Sequence, residues 1–323
     1  MLTIYLLQAI VPLVLIAWLA FAPPNSAAGF WTQVLATGLG LLAISATGIW
    51  AFPPWWAPYG FAVLLFAATV NGVARRRTQP FWPQGARGWL SLALFAALGL
   101  YAANDTRIAL EASKTPLGRV INLASPLEPG RYLVANGGAA PSINAHAAFL
   151  DRSVVRRRPY WGTGHGVDLV AIDRWGLRTH GVMPSDPARY RIYGRTVMAP
   201  CGGDVIAALD GLPDMEVPKA DTAHLAGNHV ILRCGDVHIL LGHFQKGSLR
   251  VTQGQKLRTG EKIALAGNSG NSSEPHLHIH AQLPGTMEAP FSGKPIPIRI
   301  NGQYLVRNDR VDVSGGRGRP DRP

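Results

Sequence analysis

The sequence predicts two regions suited to different solvents: an N-terminal four-helix transmembrane region, then an all-β domain of antiparallel sheets arranged as a half-open barrel or sandwich. Three observations predict it. All 19 acidic residues and all 10 histidines lie beyond Asn104, and of the 31 basic residues only Arg75, Arg76, Arg77 and Arg87 precede it. Four apolar runs fill that first stretch, at about 2–22, 30–51, 58–73 and 89–103. After Gly118 the apolar residues come in short alternating stretches, separated by Gly, Pro, Asn and Asp.

A helix rises about 1.5 Å per residue, so roughly 20 apolar residues cross the hydrocarbon core. The first two runs meet that length, and the last two need their flanks. Pro23–Pro24 and Pro53–Pro54 break the chain at the first two boundaries. Trp50, Trp55, Trp56, Tyr59 and Trp82 gather where the interfaces would fall, the position amphipathic rings favour. The first run lacks a basic leader and a small-residue cleavage site, so it reads as a retained helix rather than a signal peptide. All four arginines sit in the third connection, which the positive-inside rule assigns to the cytoplasm. Everything after residue 104 then emerges on the far side of a multi-pass inner (cytoplasmic) membrane protein.

The segments expected are four transmembrane helices over 1–104, a stalk over 105–118, the extracytoplasmic β domain over 119–313 and a disordered basic tail over 314–323. The tail has no apolar residue large enough to build a core. Within the β domain, strands are expected at 166–172, 196–200, 204–208, 229–233, 237–241, 262–266 and 276–283, with no sustained helical period. Cys201 and Cys234 are the only cysteines; an oxidising compartment would permit a bond between them, and two free buried thiols fit the sequence as well. A formal net charge of +12 admits nucleic acid, anionic lipid or an acidic polymer as partner. No nucleic-acid motif accompanies it, so no nucleic-acid partner is expected.

The chemistry concentrates in Pro275–His276–Leu277–His278–Ile279–His280. Alternate residues of a strand face the same way, which gathers the three histidines on one face and turns Leu277 and Ile279 to the core. Imidazoles so gathered suit zinc, which takes His nitrogen and carboxylate oxygen at about 2.0–2.2 Å. Gly164–His165–Gly166–Val167–Asp168 puts a carboxylate on another apolar strand, where it needs a partner. Gly242–His243–Phe244 ends a third strand; alone, a histidine there is more often structural than catalytic.

With Gly194–Pro200 and Gly203–Val205, Gly227–Leu232, Leu241–Phe244, Gly254–Leu257, Gly260, Ile263 and Gly267–Asn271, these residues resemble the lysostaphin/LytM-type zinc metallopeptidases, murein endopeptidases of the duplicated hybrid motif fold. The resemblance runs over roughly residues 138–283. It implies Asp168 and His278 as zinc ligands, His276 as general base or hydrogen-bonding partner of the reacting water, and His243 as a stabiliser of the oxyanion. One departure stands out. The family's first His ligand lies four residues before its Asp; here that position is Gly164, and the histidine comes one later, at His165. A shift by one on a strand turns the side chain to the opposite face. His146, in Asn144–Ala145–His146, is therefore the favoured first ligand and His165 the alternative. The implied activity is that of a membrane-anchored zinc metalloendopeptidase (a hydrolase) cutting peptide bonds of bacterial cell-wall peptidoglycan, with stem peptides and cross-links as partners and the lipid bilayer holding the helices. The alternatives are an impaired relative that binds wall or activates an amidase, and an exported peptidase acting on a protein.

Overall fold

The computed structural model describes residues 2–75 and 79–314, with side chains from Tyr5 onward. Arg76 and Arg77 of the arginine loop, and the tail beyond Ser314, lie outside the described residues. The chain divides into two compact units, Met1–Ala112 and Ser113–Pro323.

The first unit consists of α1 (Leu2–Phe21), α2 (Ala27–Thr47), α3 (Ala57–Ala74) and α4 (Gly85–Ala112). By length and composition α2, α3 and α4 suffice to cross a membrane, while α1 offers a shorter apolar stretch, Tyr5–Phe21. The helices are apolar on their outer faces too: Phe66, Leu90 and Leu100 are each more than two-thirds exposed. A helix apolar all round is suited to hydrocarbon rather than water. Ser26 caps α2, its hydroxyl accepting from Gly29 N at 3.1 Å just after the Pro23–Pro24 break. Gly99 of α4 lets the backbones approach, since a Cβ there would sit 3.3 Å from Ala36 Cα of α2. The buried Gln8 of α1 finds its partners in the chain after α2, accepting from Ile49 N and donating to Ile49 O, both at 2.9 Å. That pairing answers the requirement that polar groups in an apolar medium be satisfied internally. α4 runs on past the last apolar stretch through 105–112, so that part of the expected stalk is helix.

The second unit is built of strands: β1 (Ile121–Leu123), β2 (Gly130–Asn136), β3 (Val167–Ala171), β4 (Thr196–Met198), β5 (Gly203–Leu209), β6 (His229–Cys234), β7 (Val237–Gly242), β8 (Lys256–Leu257), β9 (Lys262–Leu265), β10 (Leu277–Gln282), β11 (Pro295–Ile296), β12 (Ile298–Ile300), β13 (Gln303–Tyr304) and β14 (Arg310–Val313). The main sheet has the order β14-β2-β3-β10-β7-β6-β5-β8, with β11 added on β10. A second sheet is β1-β12-β13, and β4 pairs with β9. Pairing is antiparallel throughout except for the parallel pair β1–β12. Cys201 and Cys234 are bonded, tying the turn before β5 to the end of β6.

β10 is buried on both faces, and this organises the site. Leu277, Ile279 and Ala281 enter the main core beside Leu169 and Leu241. His278, His280 and Gln282 point the other way and are also buried. The cover on that side includes 3-10 structure that apolar periodicity did not foretell: Ala145–Leu150 and Val155–His165. A polar face so covered must find its hydrogen bonds within the protein.

Candidate metal and catalytic site

Three adjacent strands set the site by register. Asp168 of β3 lies directly opposite His278 of β10, which lies opposite Gly242 at the end of β7, one residue before His243. His243 has φ +64°, in the left-handed region that disfavours a side chain. The conformation is pinned on both sides: His243 N donates to Ala226 O and Gly267 N donates to His243 O, each at 2.9 Å.

His146 comes from outside the sheet, on the 3-10 segment Ala145–Leu150. Asn144 caps that segment, accepting from His146 N at 3.1 Å, while its Nδ2 donates to Gly138 O at 2.8 Å and Gly166 O at 3.0 Å. One amide thus joins the segment carrying His146 to the residue that opens the Asp168 strand. Gly166 leaves the space this needs, because a Cβ there would meet His278 Cε1 at 2.6 Å and His146 Cδ2 at 3.1 Å.

The donors converge on the Asp168 carboxylate. His146 Nε2 is 3.0 Å from Oδ1 and 2.9 Å from Oδ2, and His278 Nδ1 is 2.8 Å from Oδ1. Asn136 Nδ2 donates to Oδ2 at 2.8 Å, and His276 Nε2 stands 3.7 Å from Oδ1. One ligand atom from each of His146, Asp168 and His278 lies within 4.8 Å of the others, so these three could hold a metal ion. Burial by itself would raise the Asp168 pKa; the His146 and His276 rings, with hydrogen bonds from His146 and His278, reverse this and hold it well below the carboxylate range. Burial pushes the His278 ring down to about 4, with His146 adding to the effect, and takes His243 well below its ordinary value. The result is an ionised Asp168 beside a neutral His278 ring, the protonation states that metal ligation requires of those two groups.

His276 and His243 flank this group, their ring centroids 4.5 Å apart. Each donates from Nδ1 to a backbone carbonyl, His276 to Glu274 O and His243 to Ser269 O, both at 2.8 Å. A carbonyl oxygen only accepts, so in the neutral rings the free lone pair is on Nε2.

His165, the alternative first ligand, ends the other 3-10 segment and lies apart from this group. Its ring lines a separate cavity of about 290 Å³ with Leu283, Lys294 and Ile296. Burial lowers its pKa to about 4.

Several residues that complete the site were given no role of their own in the sequence. Asn136 and Asn144 sit among turn signals, and their side-chain bonds join segments far apart in the chain. Ser269, Ser272 and Glu274 lie in a Gly/Asn/Ser loop that reads as a turn, yet all are buried. Arg178, itself buried, donates to the Glu274 carboxylate through Nε and Nη2 at 2.9–3.1 Å, fixing the residue whose carbonyl holds His276. His280 was legible as one of three histidines but carried no role; it lies against His278, with Nδ1 2.9 Å from His278 Nε2.

Residues 190–290 match the model described as Peptidase family M23. The match takes in His243, His276 and His278 and begins downstream of His146 and Asp168. An uncharacterized metalloprotease of Haemophilus influenzae is 34% identical over 114 residues, covering 33% of this chain and 23% of that protein. The peptidoglycan DD-endopeptidase ShyA of Vibrio cholerae is 26% identical over 125 residues, covering 37% of this chain and 28% of that protein. The chain thus spans about a quarter of the length of these relatives. Among solved structures, the catalytic domain of lysostaphin from Staphylococcus simulans is 19% identical, with 39% of this chain and 74% of that chain covered and a TM-score of 0.24.

Proposed function

We propose, starting from the peptidase family M23 segment that this chain carries over residues 190–290, that it is a membrane-anchored zinc metalloendopeptidase hydrolysing peptide bonds of bacterial cell-wall peptidoglycan. The observation that carries the reading is the convergence of His146, Asp168 and His278, three donors from distant segments, next to two further histidines. Two imidazoles and a carboxylate suit zinc, and three protein ligands leave the fourth tetrahedral position for chemistry. Zinc held there supplies a Lewis acid that polarises the scissile carbonyl and lowers the pKa of a water to about 7.

The protein's own residues manage the proton. His276, with its Nε2 3.7 Å from Asp168 Oδ1 and its side chain 14% exposed, is assigned the base that takes a proton from the attacking water. As an imidazolium it can then hand that proton to the leaving amine. His243 presents an acceptor at Nε2 while neutral, so the oxyanion role that the resemblance implies requires a second proton on its ring. Burial opposes that charge, which makes His243 a donor only where negative charge is developing beside it. The cell-wall substrate draws its support from the peptidoglycan endopeptidase among the relatives. The inner-membrane location, with four helices crossing and the β domain outside, rests on the apolar helices and the basic third connection.

The test is zinc stoichiometry of the purified chain together with muropeptide analysis after digestion of isolated wall. Bound zinc with release of new peptide ends is the expected result. Zinc without cleavage of wall, but with cleavage of a protein substrate, would move the substrate class. Wall binding with neither zinc nor cleavage would favour the impaired relative.

A further inference from the structure

His280 and Gln282 follow His278 on the same face of β10 and are almost wholly buried. His280 Nε2 and Gln282 Oε1 are both buried without a hydrogen-bonding partner, although Gln282 is among the groups acting on the His280 ring. The amide's orientation is settled by its other end, since Gln282 Nε2 donates to Pro290 O at 2.7 Å. Oε1 is therefore an acceptor in need of a donor.

Donor and acceptor roles along this line follow from its first member. A carboxylate only accepts, so in the metal-free protein the contact between His278 Nδ1 and Asp168 carries its proton on Nδ1. His278 Nε2 is then a lone pair and accepts from His280 Nδ1–H at 2.9 Å. That leaves His280 Nε2 as a second lone pair, which the Gln282 oxygen, itself an acceptor without a partner among the described residues, cannot satisfy. A metal on His278 Nδ1 reverses every step. The His278 proton must reside on Nε2 and donate to His280 Nδ1. The His280 proton must reside on Nε2, which turns that atom into a donor for which Gln282 Oε1, the unpartnered acceptor acting on this ring, is the available partner. Each ring loses its Nδ1–H bond and gains an Nε2–H bond, so no proton is gained or lost overall.

We propose that His280 and Gln282 are positioning residues matched to the metal-loaded site, and that metal binding shifts both His278 and His280 from the Nδ1–H to the Nε2–H tautomer. The inference rests on the metal reading above. Such outer partners typically account for roughly 10–100-fold in metal affinity. A neutral imidazole in this place also leaves the site less negative than a carboxylate partner would.

The experiment uses the full chain in detergent, labelled with [15N]histidine, in two-bond 1H–15N spectra with and without zinc. His280→Asn provides the assignment, and zinc affinity is read by chelator competition. The expected result is a zinc-dependent change of both rings to the Nε2–H pattern. Affinity should fall roughly 10–100-fold in His280→Phe and stay close to wild type in His280→Asn, whose side-chain oxygen can accept where Nδ1 did. Zinc-loaded wild type with His280 still protonated on Nδ1, or His280→Phe binding zinc as tightly as wild type, overturns the proposal and leaves the metal site standing. Wild type that binds no zinc overturns both. The melting temperature of metal-free His280→Phe shows whether that variant folds; where it does not, the wild-type spectra decide.

Discussion

His146 places Nε2 almost equally far from both oxygens of Asp168, whereas His165, though nearer in sequence, turns into a different cavity. Exchanging each for alanine separates the two. His146→Ala should abolish zinc binding and turnover together, as His278→Ala should, while His165→Ala keeps zinc at the wild-type stoichiometry. Metal analysis showing the reverse would move the first ligand to His165. His276→Ala belongs to another class: it touches no ligand atom tightly, so zinc should stay and turnover fall by roughly 10²–10⁴. Acid should also weaken the fold. The His165 and His278 rings hold folded pKa values of about 4 against an ordinary 6.5. The unfolded chain therefore binds more protons between those limits, and stability drops as pH falls through that window. Asp168, whose pKa is lowered, loses its contribution only at more acid pH, below its ordinary 3.8. A melting temperature of the metal-free protein that stays level from about pH 7 to about pH 5 would contradict this.

Among the elements, the loop before β10 depends on a pair that few sequence patterns reveal. Arg178 and Glu274 are both buried, and breaking such a buried pair by removing one partner costs roughly 3–5 kcal/mol. Glu274→Ala should lower stability in denaturant unfolding by about that much and reduce turnover more than zinc content, because the carbonyl it positions holds His276. The seven strands expected were legible to within one or two residues, as 237–241 became Val237–Gly242 and 229–233 became His229–Cys234, whereas β2 and the short strands β1, β8 and β11–β14 were not. Their alternation is imposed by a core on one face, and that is a property of local sequence. The 3-10 segments were not legible, because 155–165 carries arginines, proline and glycines with no apolar stripe. Asn144 was read only as part of an Asn-x-His string; its bonds to Gly138 and Gly166 exist only once distant segments meet. Asn144→Ala should therefore weaken zinc binding without removing a ligand, by loosening the segment that carries His146, which chelator competition would measure.

At the scale of the whole molecule, the Cys201–Cys234 bond and the basic third connection both bear on the proposed exported location. Thiol labelling of the denatured, unreduced chain should find no free cysteine, and reduction should cost about 2–4 kcal/mol of stability. Reporter fusions after Asn104 should be active only in the exported compartment; a cytoplasmic signal would remove the wall from reach. The row Asp168–His278–Gly242 across three strands has one further consequence. Its donors are strangers in sequence, Asp168 standing 22 residues from His146 and 110 from His278. No fragment of the chain owns an address for the ion, and none can capture it early. An ion that needs all three donors would therefore bind only after the sheet has closed, and by binding the folded form it would add stability that grows with the logarithm of its concentration. On the proposed reading, a chain caught part-way through folding would be chemically idle, and activity would arrive only once β3, β7 and β10 are paired.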